Sequence, residues 1–181
     1  MKHHGVAVDL LGATIDAIQE NPDLARFQFR SRTQWVHGGH AETHIQSFAG
    51  AGQEDSSRPV PFVVRSDEPS VLLGTNQGPN AVELYLAALG SCLTVGIAYN
   101  AAARDITLQT LRIEIEGDID LHAFLGLSET TRPGYEGIRV RYQAESDASS
   151  DQWATLMAHV KKTSPVLDMV RHPVPVTWVQ D

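Results

Sequence analysis

The sequence is poor in several things, and each shortage excludes a class. Only one cysteine, Cys92, occurs in 181 residues. That excludes an intrachain disulfide framework, and no CxxC or paired Cys/His zinc spacing exists. Basic residues are few: Lys and Arg number 14 against 22 Asp and Glu, a formal net charge of −8. Such a surface repels phosphate backbones, so nucleic acid is not an expected partner. Internal repeats and low-complexity tracts are absent. The N-terminal segment carries Asp9, Asp16 and Glu20 and has no long uncharged apolar core, so a cytoplasmic setting is expected. With 42% hydrophobic and 20% charged residues, the composition is that of a soluble globular chain.

The periodicities give the elements. Leu10, Leu11, Ile15 and Ile18 form a helical stripe from Val6 to Glu20, stopped by Asn21-Pro22. Residues 1–22 are read as an accessory helix and 23–181 as the main domain. Arg26 to Val36 alternates as a half-exposed strand, Gly38-Gly39 makes a turn, and His40 to Phe48 returns as the second strand of a hairpin. Gly50 to Ser57 reads as a loop, and Val60 to Val64 as a short strand with prolines at its start. A Gly- and Asn-rich loop, Leu72 to Asn80, precedes a long helix from Ala81 to Ala103. That helix is nearly apolar all round, which predicts a fully buried core helix and no membrane span. Its Ala and Gly positions suit close packing. Leu111, Ile113 and Ile115 alternate with Arg112, Glu114 and Glu116, and Ile138, Val140 and Tyr142 alternate with Arg139 and Arg141. The two strands are expected to pair with opposite charges outward. Asp147 to Ser150 offers helix caps before Trp153, Leu156, Met157 and Val160. Ser164-Pro165 reads as a second cap with proline in the first turn. Val174 to Val179 is expected to be an edge strand. Strands and helices segregate, so the class is α+β.

The stretch GTNQGPNAVELYLAALGSC, Gly74 to Cys92, resembles the entry to the central helix of OsmC and Ohr proteins. GDIDLHAFLG, RPGYEGIRV and SPVLDMVRHPVPV are similar to later family segments, in the same order. The resemblance spans Phe27 to Val179. It implies an OsmC-like fold made by an intertwined homodimer, with long central helices enclosed between sheets, and a cytoplasmic protein of the oxidative stress response. It also implies a site that reduces organic hydroperoxides without metal or other cofactor. There, one thiolate attacks the peroxide, a second cysteine closes a disulfide, and an arginine held by a glutamate favours the thiolate.

Carried over position by position, the attacking cysteine falls on Cys92 and the second cysteine on Ser164. The glutamate falls on Val82, with Glu83 one residue late and about 100° round the helix. The arginine position lies by the first hairpin turn, at His37-Gly38-Gly39-His40. Each residue also has a plainer reading. Cys92 suits a buried apolar helix, Ser164 an N-cap, and Glu83 the positive end of the helix dipole. His37 and His40 are either exposed turn residues or a cationic substitute for the arginine. A metal is not expected: His40 and His44 on one strand would lie about 13 Å apart, and His37 and His40 lack a third ligand. Two functions remain open: a one-cysteine thiol-dependent peroxide reductase restored by an external thiol, or a non-catalytic protein binding a small hydrophobic ligand at the dimer interface.

Overall fold

The computed structural model describes residues 2–180, with side chains from residue 4 onward. The chain forms two compact units. One holds residues 7–84, and the other holds residues 2–6 together with 85–180.

The N-terminal strands β1 (Lys2–His3) and β2 (Val6–Ala7) pair with each other, and helix α1 covers Val8–Glu20. The helix starts two residues later than its apolar stripe suggests because Val6 is buried in strand conformation. The Leu108 amide donates to His4 Nε2, which ties the N-terminus to the second unit. Asn21 ends α1, and its side chain caps a 3-10 turn at Pro22–Ala25.

The alternating stretch from Arg26 onward is split between two sheets. Strand β3 (Phe27–Gln28) pairs with β6 (Phe48–Gly50), while β4 (Arg32–His37) pairs with β5 (His40–Ile45). The sheets are ordered β3-β6-β7 and β4-β5-β8. The expected loop at Gly50–Ser57 contains a further strand, β7 (Gln53–Asp55). Its residues are all polar, so no alternation marks it. Ala51 and Gly52, both at positive φ, make the tight turn that returns it to β6. Strand β8 covers Phe62–Ser66, beginning just after Pro61.

The expected half-exposed strand is open on both faces of the single chain. Every residue of β4 is exposed, Trp35 at 70%, and Phe27 and Phe29 are open as well. Arg58 lies 5.2 Å over both the Phe48 and Phe62 rings. The hydrophobic core belongs to the second unit instead.

There, helix α2 (Ala81–Ala102) contributes Leu89, Leu93, Ile97 and Ala101, and helix α3 (Ser150–Thr163) contributes Leu156, Met157 and Val160. Leu111, Ile113, Ile115 and Ile138 from strands β9 (Leu108–Asp118) and β10 (Gly137–Ser146) pack against them. The short helix α4 (Pro165–Arg171) adds Val166, Leu167 and Val170. Close approach bears on one glycine of α2: a Cβ on Gly96 would sit a tight 3.3 Å from Val160, whereas one on Gly90 would meet Ile115 at an ordinary 3.5 Å.

The β9–β10 ladder is antiparallel, with Arg139 opposite Glu116 and Val140 opposite Ile115. Charges face outward as the alternation predicts. Arg139 reaches both Glu116 and Asp118, and Arg141 takes Glu116 diagonally at 2.8 Å instead of Glu114 across the ladder. The hydrogen bond from Arg139 holds the Asp118 carboxyl below its ordinary range.

Two expectations about apolar segments are corrected. Helix α2 has the length and composition of a membrane span, but it is not fully buried: its inner face lies in the core while Tyr85, Val95 and Tyr99 are exposed. One chain supplies cover for only one side of it. The expected edge strand at Val174–Val179 is irregular, with Trp178 93% exposed. Pro173 and Pro175 remove two amide donors there, so the segment is a poor ladder partner.

Candidate functional site

Cys92 sits midway along α2 and is half-buried. Ser164 is the junction between two helices. Its amide donates to the Val160 carbonyl at 3.0 Å and ends α3, while its hydroxyl oxygen accepts the Leu167 amide at 3.4 Å and starts α4. Proline at the next position supplies the helical φ without wasting a donor. This double cap is 6% exposed.

The same hydroxyl faces the cysteine: Ser164 Oγ lies 3.2 Å from Cys92 Sγ. The oxygen accepts the Leu167 amide with one lone pair, which leaves it able to donate to the sulfur or to accept from it. Capping and facing the thiol were alternative readings of Ser164, and one rotamer does both. Among the described residues, Ser164 is the one hydrogen-bond partner of Sγ. The pair sets a half-buried thiol beside a buried hydroxyl, 72 residues apart in sequence. It cannot close a disulfide.

Glu83 is held elsewhere. Its carboxylate accepts the Asn80 amide at 2.8 Å, and the Asn80 side chain accepts the Glu83 amide at 2.9 Å. This reciprocal capping box starts α2. His37 and His40 face each other across the hairpin turn in the first unit, their rings stacked with centroids 5.7 Å apart. His37 is exposed, while His40 is 8% exposed and its Nδ1 has no hydrogen-bond partner among the described residues. No group of three or more His, Cys, Asp or Glu converges on a point among the described residues.

Sequence reasoning missed Asp67. It is 2% exposed and organises the loop that leads to α2. Its carboxylate accepts the amides of Glu68, Thr75 and Gln77 and the Thr75 hydroxyl. Those bonds, the Thr75 hydroxyl foremost, hold its pKa down to about 2. The signal was an Asx-type turn residue eight positions before a threonine, a separation that no local motif covers. Gly74 makes the loop possible, since a Cβ there would lie 1.8 Å from the Glu68 carbonyl oxygen.

The family model for OsmC-like proteins matches residues 74–179, more than half of the chain. The chain belongs to the OsmC-like family. Solved structures agree at the level of the fold. The OsmC-like protein from Mycoplasma pneumoniae is similar at 14% identity and a TM-score of 0.60, over 81% of this chain and 89% of that one. An organic hydroperoxide resistance protein, OsmC, from Legionella pneumophila is similar at 16% identity and a TM-score of 0.54, over 80% and 89%. No curated protein matches the chain significantly. The OsmC-like match contains Cys92, Glu83 and Ser164 but not His37 or His40.

Proposed function

We propose that this OsmC-like protein carries out a one-cysteine, thiol-dependent reduction of organic hydroperoxides in a reducing cytoplasm. The observation that carries the reading is the contact between Cys92 Sγ and Ser164 Oγ. It puts a hydroxyl donor beside the sulfur, where the resemblance places a second thiol. The Cys92 sulfur attacks the terminal peroxide oxygen, the O–O bond breaks, and the alcohol leaves with the proton, giving sulfenic acid at Cys92. Ser164 cannot resolve it. An external thiol therefore condenses with the sulfenic acid, releasing water, and a second thiol releases Cys92 as the mixed disulfide is exchanged.

The working form in this reading is a homodimer. Support comes from the uncovered apolar surface: Tyr85, Val95 and Tyr99 on α2, and Phe27, Phe29 and Trp35 on the strands. Large exposed apolar side chains on each unit favour a partner that covers them. Sedimentation at micromolar concentration is expected to give a dimer mass, and a stable monomer would remove this part of the reading.

The capping role of Glu83 favours a second reading, a non-catalytic protein that binds a small hydrophobic ligand at the dimer interface. Turnover of cumene hydroperoxide with glutathione, a dithiol and thioredoxin separates the two. Catalysis is expected with an external thiol and lost in Cys92→Ser; no turnover with any reductant would leave the binding reading.

A further inference from the structure

A cavity of about 170 Å³ lies in the second unit and is apolar over most of its wall; Cys92 and Ser164 are not among its lining residues, although their neighbours Leu93, Val160 and Leu167 are. Leu93 and Ile97 of α2, Ile113 and Val140 of the sheet, and Lys161 and Arg171 are among its lining residues. Both cations are exposed, and neither has an ion pair or hydrogen bond to another side chain among the described residues. By contrast, Arg30, Arg65, Arg112, Arg139 and Arg141 are each matched to a carboxylate, so the two cations at the cavity are among those whose charge is not already engaged. The nearest acid on α4, Asp168, is engaged by His172 Nδ1 at 2.9 Å.

An apolar slot edged by two unmatched cations has the chemistry of a site for an anionic amphiphile. The chain enters the slot, the stems of Lys161 and Arg171 cover it, and their charged ends meet the head. Dry apolar cavities of about 150 Å³ take a group the size of benzene. We propose that this cavity binds a medium-chain carboxylate of roughly six to eight carbons, its tail between α2 and the β9–β10 sheet and its carboxylate on Lys161 and Arg171. The proposal does not rest on the peroxide chemistry, since its test reads binding alone.

Calorimetric titration of the full chain with octanoate, acetate and octylammonium tests it. Octanoate is expected to bind saturably, acetate not at all, and octylammonium at least about tenfold more weakly. The double variant Lys161→Glu/Arg171→Glu, both positions being on the surface, should lose about tenfold in octanoate affinity with an unchanged thermal midpoint. Val140→Trp, which fills the slot, should lose as much without altering the head contacts; if it does not fold, the charge variant still decides. Equal binding of octanoate and octylammonium, unchanged octanoate affinity in the charge variant, or no saturable octanoate binding would each overturn the proposal.

Discussion

Ser164 holds Cys92 and starts a helix with the same oxygen: Oγ accepts the Leu167 amide and stands 3.2 Å from Sγ. Ser164 is thus bound into the helix junction by its backbone and side chain together. A change there alters the contact with the Cys92 sulfur and the local helix cap at once.

Ser164→Cys separates these effects. Side-chain atoms 3.2 Å apart are already near bonding range, so the oxidised variant is expected to form an intrachain bridge to Cys92. Losing the serine cap should cost about 0.5–2 kcal/mol in the reduced variant. Mass spectrometry of the oxidised and reduced forms reads the bridge, and denaturant unfolding reads the cap. Absence of a bridge would contradict the placement of Ser164 against the sulfur.

Asp67 should give the loop before α2 an acid limit. Its folded pKa is about 2, below the ordinary value of 3.8. Between those values the unfolded chain holds the extra proton, so this stabilisation is fully present above about pH 4 and lost as pH falls toward 2. Glu116 and Asp118 shift in the same direction, so the readout must be local. Exchange of the Thr75 and Gln77 amides should accelerate across this window, and Asp67→Asn should make it fast at neutral pH. Unchanged protection in Asp67→Asn would show that the carboxylate does not hold the loop.

Gly74→Ala is a steric test of the same loop. A Cβ at 1.8 Å from a backbone carbonyl cannot be relieved by a side-chain rotation. A loss of about 1–3 kcal/mol is expected, the range for inserting an atom where backbone must move. A thermal midpoint equal to that of the parent would contradict the close approach of Glu68 and Gly74.

Much of the second unit could be read from residues alone. Leu111, Ile113 and Ile115 alternate cleanly because one face of β9 packs, partly buried, against the core, and Ser164-Pro165 caps a helix by purely local chemistry. The first unit was harder. Phe27 to Trp35 alternates through a break between two sheets, and alternation carries no information on which partner a strand chooses. Strand β7 is polar throughout, and Pro175 sits in an apolar run that never meets a ladder. At the site, Cys92 and Ser164 entered through the resemblance, since 72 residues separate them. Asp67 had no such route: its partners Thr75 and Gln77 lie beyond the reach of a local turn motif.

The most direct test is the mass of Cys92 after a single exposure to cumene hydroperoxide without added thiol, in the presence of dimedone. The account predicts one dimedone adduct per chain at Cys92, no intrachain bridge, and no adduct in Cys92→Ser. An unmodified Cys92 under excess peroxide, or peroxide consumption that persists in Cys92→Ser, would contradict it.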